Sequence, residues 1–267
     1  MRIDNSAELA KLGARGEKLR TPNMPKYSII TLFPELVEQA LEYGVLGRAI
    51  QNEYLEIDTC NPRDFSDDER RRVDDSPYGG GPGMVMQVGP LRRAIQCVEQ
   101  AQACDEVIYL SPQGQRVTQS DIKQIARNEH TLFVCGRYEG IDQRVVDHDV
   151  SRELSIGDFV MSGGEFAALC VLDAVARLIP GVLGNQSSAE QDSFQNGLLD
   201  YPHYTRPEEI DGQRVPAVLL SGDHAAIRQW RRRMALQNTL KKRPDLLEQS
   251  TLDATDQEFL DQIREKS

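Results

Sequence analysis

Three loops in this 267-residue chain carry glycine where a strand-like run gives out. LSPQG (110–114) follows EVIYL, CGRYEG (135–140) ends TLFVC, and SIGDFVMSGGE (155–165) continues REL. Glycine allows the backbone to approach a ligand closely and to take up left-handed turns. Ligands of open α/β sheets sit beyond the carboxyl ends of the strands. Three such loops in succession predict one shared pocket walled by main-chain N–H and C=O groups, although each loop alone also reads as a tight turn. VDDSPYGGGPG (73–83) packs four glycines and two prolines into its last seven residues, which rules out a helix or a central strand. It reads either as a surface loop or as a clamp closing on a planar or phosphate-bearing substrate, with Asp74 or Asp75 as acceptors.

Charged residues supply the second kind of signal. Arg177 falls near the end of EFAALCVLDAVARLI, four residues after Asp173, so a structural Asp173–Arg177 pair competes with a role in chemistry. Asp192, in the polar stretch SSAEQDSF, reads from composition as a solvated acid. Arg228, Arg231, Arg232, Arg233, Lys241, Lys242 and Arg243 follow one another without an intervening acid, with Trp230 and Gln237 interleaved. Such a run favours a polyanion-binding face over a simply solvated helix. Arg70, Arg71 and Arg72 form a second cluster, and His203 and Arg206 stand in PHYTRP. The net charge of −11 leaves an RNA partner open, because the excess acid lies elsewhere, in 139–158 and 248–261 among other segments.

Other chemistries lack their residues. The five cysteines are scattered without a CxxC pair, which suits reduced intracellular thiols, and none of the four histidines has metal-ligand spacing. No GxGxxG opens a helix, and there is no Walker A loop, HExxH or GxSxG. The longest apolar run, Phe166 to Leu172, is too short to cross a bilayer, and the polar start MRIDNSAELAKLGARGEKLR has no secretory h-region. The expectation is a soluble, cytoplasmic protein with no membrane partner.

The elements that must position these residues alternate in type. Strands are expected at 27–33, 54–60, 106–110 and 131–136, and from 152 into the glycine turn ending at 164. Between and after them, helices are expected at 34–44, stopped by Gly44, at 89–101, at 120–128 with a Ser cap, at 141–149 and at 165–179, with a long loop over 61–83. Strands separated by helices imply crossover units and an α/β fold with a parallel sheet. Residues 1–25 read as a disordered polar extension, with Met24 as an alternative start. After Pro180 the texture turns loop-like to 222, followed by a helix over 223–242 and short helical pieces at 244–249 and 255–265. The domain reading is therefore a cofactor-binding α/β domain over 26–184, a linker over 185–200 and a small helical domain over 201–267.

Ten segments, in order, closely resemble the bacterial tRNA (guanine-N1)-methyltransferases of the TrmD family. They are SIITLFPE, NPRDF, VDDSPYGGGPGMVM, IYLSPQG, FVCGRYEGIDQRV, SIGDFVMSGGE, VARLIPGVLGN, QDSF, LLDYPHYTRP and VLLSGDHAAIRQWR, and the likeness runs from about Lys26 to Glu248. The resemblance implies a SPOUT-class fold, in which the parallel sheet carries a deep C-terminal trefoil knot and a small helical C-terminal domain follows. It implies methyl transfer from S-adenosylmethionine to N1 of the guanosine immediately 3′ of the anticodon, position 37, by a homodimer with its active sites at the subunit interface. Carried over residue by residue, the cofactor pocket takes Tyr109, Leu110, Ser111 and Pro112 from the first loop and Gly136, Tyr138 and Glu139 from the second. The third supplies Ile156, Gly157, Phe159, Met161, Gly163 and Gly164. Asp192 becomes the general base that removes the N1 proton, and Arg177 stabilises charge on O6. Asp74, Gly79 and Gly83 match the target-guanine clamp, and Ser188 stands at the corresponding linker position. His203, Arg206, Arg231, Arg232 and Arg233 belong to the tRNA-binding part. The resemblance also implies dependence on Mg2+, for which the sequence shows no ligand cage. Two departures stand out: the extension before Lys26, and Ala167 where many relatives have Pro at the pocket rim. A knotted methyltransferase acting at another RNA site and a catalytically inert RNA-binding relative are the alternatives.

Overall fold

The computed structural model describes residues 24–184 and 192–265. The chain divides into two compact units, with the boundary between Val182 and Leu183.

The first unit is built on a five-stranded, all-parallel sheet. Its strands are β1 (Lys26–Ile30), β2 (Glu56–Cys60), β5 (Glu106–Arg116), β6 (His130–Cys135) and β7 (Arg152–Ser155), in the spatial order β2-β1-β6-β5-β7. Two short strands, β3 (Asp74–Asp75) and β4 (Val85–Met86), pair antiparallel outside it. The helices are α1 (Pro34–Ala40), α2 (Gly44–Gln51), α3 (Val88–Ala101), α4 (Gln119–Ile125), α5 (Gln143–Asp149) and α6 (Glu165–Ala176).

The period-2 geometry of a strand sends alternate side chains to opposite faces, and both faces here are apolar and covered. Ile108, Leu110, Phe133 and Cys135 join residues of α1, α2, α4 and α6 in one core. Val107, Tyr109, Leu132 and Val134 join α3 and α5 in the other. Double coverage explains why β6 is buried at every position and why its sequence does not alternate.

The strands and helices expected from 27 to 179 are present, with shorter ends and three differences. Gly44 does not end helical structure: its backbone, at φ +70°, turns the chain directly into α2. β5 does not stop at Leu110 but continues to Arg116, and its register against β7 shifts between Leu110 and Gln115, so LSPQG is an irregularity inside a long strand. The cap of α4 is Thr118, not Ser120. Its hydroxyl accepts from the Asp121 N–H, while Asp121 accepts from the Thr118 N–H at 2.8 Å.

In the second unit, the stretch to 222 that reads as loop holds a hairpin of β8 (Glu209–Ile210) and β9 (Gln213–Arg214) and a short helix α7 (Ala217–Leu220). α8 (His224–Lys242) is capped by Asp223, which accepts from the N–H groups of Ala225 and Ala226. A 3-10 turn (Pro244–Gln249) leads to α9 (Ala254–Arg264). Leu198 is buried with Ala235, Leu236, Leu247 and Leu260. The Leu199 N–H bonds to Thr239 Oγ1 at 2.9 Å, so part of the segment that reads as linker is core of this unit. The polar extension up to residue 23 and Ser188 lie outside the described residues. Among the described residues, no helix is long and apolar enough to cross a membrane.

Candidate ligand cleft and basic face

All thirteen expected cofactor-pocket positions line one cleft of about 260 Å³ in the first unit. Tyr109 to Pro112 come from β5 where its register against β7 gives out, Gly136, Tyr138 and Glu139 from the loop after β6, and the remaining six from the segment joining β7 to α6. Ala167, in the first turn of α6, also lines it. The loops meet because successive parallel strands deliver their carboxyl ends to one edge of the sheet.

Close approach between the loops depends on missing side chains. A Cβ on Gly164 would stand 2.9 Å from the Cys135 Cα, and the Gly164 N–H instead donates to the Gly136 carbonyl at 3.2 Å. The residue that ties these loops together is one that sequence reasoning missed. Glu165 is fully buried. It accepts from Arg137 Nε at 3.1 Å and from Thr31 Oγ1 at 2.8 Å, and Arg137 Nη2 stands 2.9 Å from its second oxygen. Arg137 also donates to the Ser162 carbonyl at 3.2 Å and lies over the Phe33 ring at 4.3 Å. Both residues sit inside the motifs CGRYEG and SGGE. Their signal was a charged side chain beside glycine, masked because a charge at a loop is ordinarily solvated.

The glycine-rich loop is laced to the same site. Asp74 and Asp75 pair with Met86 and Val85. The Met86 N–H donates to the Gly140 carbonyl and the Glu139 N–H to the Met84 carbonyl, both at 3.0 Å. Gly83 has φ +86°, and a Cβ there would collide with the Glu139 carboxylate at 2.2 Å. Gly79 and its neighbour Tyr78 stand out in solvent, Tyr78 almost wholly. The glycine-rich loop thus has a fixed base against Glu139 and an exposed tip.

The chemistry open to the cleft is mostly that of neutral groups. Burial pushes the Tyr109 hydroxyl above its ordinary value, with the Glu153 charge adding to it. Burial raises the Cys135 thiol well above its usual range and the Cys60 thiol to about 12. Neither thiol is among the residues that line the cleft, and a raised thiol is a weaker nucleophile. Main-chain groups, a phenol, a proline and apolar side chains are suited to hold a ligand with aromatic and aliphatic parts.

Arg177 caps the C-terminal end of α6, half-buried, its N–H on the Asp173 carbonyl at 3.3 Å. In the second unit, Asp192 lines a cavity of about 220 Å³ with Asp200, Tyr201, Arg228, Arg231 and Arg232. His203 Nε2 stands 2.9 Å from Asp200 Oδ2, and its ring lies 4.7 Å from that of Tyr201. Arg206 is exposed and lines a neighbouring cavity together with His203 and Arg231.

The basic run of α8 is less open than its sequence implies. Arg232 pairs with Asp256 of α9 at 2.6 Å and holds that buried carboxyl below the usual carboxylate range, against the opposing effect of burial. Arg233 lies over the Phe259 ring at 5.3 Å, and Arg243 pairs with Asp245. Arg228, Lys241 and Lys242 are exposed. In the other cluster, Arg71 pairs with Asp64 and Arg72 with Asp68. The lack of acids within the run misleads, because Asp256 arrives from 24 residues away. Among the described residues, no group of three or more His, Cys, Asp or Glu side chains could hold a metal ion.

The family profile described as tRNA (Guanine-1)-methyltransferase TrmD matches residues 25–249. The chain is 52% identical over 241 residues to a tRNA (guanine-N(1)-)-methyltransferase of Pseudoalteromonas atlantica, covering 90% of this chain and 91% of that protein. It is 56% identical over 226 residues to the one from Shewanella loihica (84% and 91%), and 52% identical over 240 residues to the one from Histophilus somni (90% and 98%).

Proposed function

The chain belongs to the tRNA (guanine-1)-methyltransferase TrmD family, and on that premise we propose that it methylates N1 of the tRNA guanosine immediately 3′ of the anticodon, position 37. One observation carries the assignment of the cofactor site: thirteen positions, spread over 56 residues of chain from Tyr109 to Gly164, line a single cleft. The cleft's main-chain donors and acceptors, with the Tyr109 and Phe159 rings, fit S-adenosylmethionine. The SPOUT trefoil knot belongs to the same reading, as does the use of the helical second unit to grip tRNA. When bound, the cofactor supplies an electrophilic methyl group on a sulfonium.

The protein's own residues then have defined tasks. N1 of guanine carries a proton and is a poor nucleophile until that proton leaves, so a carboxylate within hydrogen-bond reach accelerates the reaction. Asp192 takes that proton. Arg177 donates to O6, where negative charge collects as N1 is deprotonated. Asp74, Gly79 and Gly83 close on the flipped base, Ser188 takes part from the matching linker position, and Glu139 shapes both the cofactor and the base side of the cleft. His203, Arg206, Arg231, Arg232 and Arg233 orient the tRNA, with phosphate contacts giving affinity while the guanosine pocket gives specificity. No Mg2+ site is assigned. Phe159, Val160 and Phe166 are exposed apolar side chains on the segment that lines the cleft and on the first turn of α6. They support a homodimer whose active sites form at the subunit interface. A tRNA substrate supports a cytoplasmic location.

The test offers S-adenosylmethionine labelled in its methyl group to tRNA transcripts with G or A after the anticodon, followed by nuclease mapping. Label at N1 of that G, and none on the A transcript, is the expected result. Label at another nucleotide overturns the assignment.

A further inference from the structure

We propose that the cavity between α8 and the PHYTRP segment of the second unit is a seat for one unstacked nucleobase of the RNA substrate. This extends the reading above from phosphate contacts to base contact, and it rests on that reading. The cavity, of about 480 Å³, is larger than the cofactor cleft and holds an unusual concentration of flat side chains. Trp230, the only tryptophan of the chain, and Tyr204 line it with ring centroids 6.3 Å apart at 54°. Tyr204 is half exposed, which leaves its ring open to a stacking partner.

Tyr201 lines the same cavity and carries the Arg231 guanidinium over its ring at 4.9 Å. Nε of Arg231 is buried and has no hydrogen-bond partner among the described residues. Arg206 and Glu208, both exposed, also line the cavity, one donor and one acceptor for the hydrogen-bonding edges of a base. Aromatic rings, an arginine plane and edge-reading polar groups are the chemistry by which unpaired RNA bases are held. A phosphate alone would need none of the rings.

The test uses the full-length protein and an unmodified tRNA transcript. Fluorescence from Trp230 is expected to be quenched on adding tRNA, and by single-stranded RNA more than by an RNA duplex of equal charge. Trp230→Ala and Tyr204→Leu should each raise the KM for tRNA about tenfold, as loss of one base–aromatic stack does. kcat and the KM for S-adenosylmethionine should hold, and Trp230→Phe should stay within about twofold of the wild type. Tyr204 is exposed enough that its replacement leaves the fold intact. A tRNA KM unchanged in both variants, or equal quenching by duplex and single strand, overturns the seat. Failure of the wild type to methylate any tRNA would instead overturn the functional reading on which it rests.

Discussion

The Arg137–Glu165 pair of the first unit and the Arg232–Asp256 pair of the second have the same chemistry in different settings. Glu165 is wholly buried and accepts from Thr31 as well as from Arg137, whose further hydrogen bond to the Ser162 carbonyl joins two glycine loops. Removing such an acceptor would leave a largely buried guanidinium without its counter-charge, beside the cleft that the loops wall. Asp256 is buried too, but its arginine is about two-fifths exposed, and the bond joins two helices rather than two loops. In the first unit an ion pair ties together loops that wall a cleft; in the second it braces a surface on which Arg228, Lys241 and Lys242 stay exposed. Cofactor affinity should therefore depend on backbone geometry in the first unit, and RNA affinity on exposed charge and rings in the second.

The largest effect tests whether this division is complete, because the proposed base lies in the second unit while the proposed cofactor cleft lies in the first. Asp192→Asn removes only the proton acceptor, so turnover should fall by about 10² to 10⁴-fold. S-adenosylmethionine affinity, measured by calorimetric titration, should stay at the wild-type value. Wild-type-like single-turnover rates would eliminate Asp192 as the base.

Next in size is Glu165→Ala, which strands Arg137 and should cost about 3–5 kcal/mol in denaturant unfolding of the first unit. Cofactor binding should weaken severely, with tRNA affinity in filter binding unchanged. Full cofactor affinity in a stable variant would show that the pair does not position the cleft. The mirror experiment reverses the two exposed lysines. Lys241→Glu with Lys242→Glu should weaken tRNA binding and make its salt dependence shallower, by about one unit of slope for each phosphate no longer neutralised. The cofactor should bind as before. An unaltered salt slope would remove these lysines from the RNA face.

The two units also differ in how far they could be read before folding. The parallel sheet and its glycine loops were legible because strand burial and glycine spacing are local properties of the chain. The helix after Gly44 was not, since a glycine with positive φ can start a new helix as readily as it ends one. The continuation of β5 through LSPQG depends on its pairing with β7, which no local window contains. The thirteen cleft positions came from resemblance; spacing alone offered three loops and no residue roles. Charge was the least legible property. Arg232 and Arg233 belong by sequence to the same open run as Lys241, yet Asp256 and Phe259 reach them from another helix. Glu165 gave no hint of burial, because its partner Arg137 lies in a different loop.

The smallest effect concerns Asp256. Its carboxyl titrates below the usual range in the folded protein, chiefly through its hydrogen bonds to Arg232. The unfolded chain therefore takes up a proton at a higher pH than the folded one. The resulting stability is complete above about pH 4, the unperturbed value, and is lost as pH falls through the folded pKa. Asp256→Asn should lower stability at neutral pH by only about 1 kcal/mol, since solvent screens the part-exposed arginine. The difference between variant and wild type should shrink on acidification, with the two melting curves converging in strong acid. A gap that persists there would assign the loss to the α9 capping box, in which Asp256 also takes part, and would leave the Arg232 ion pair without energetic weight in the second unit.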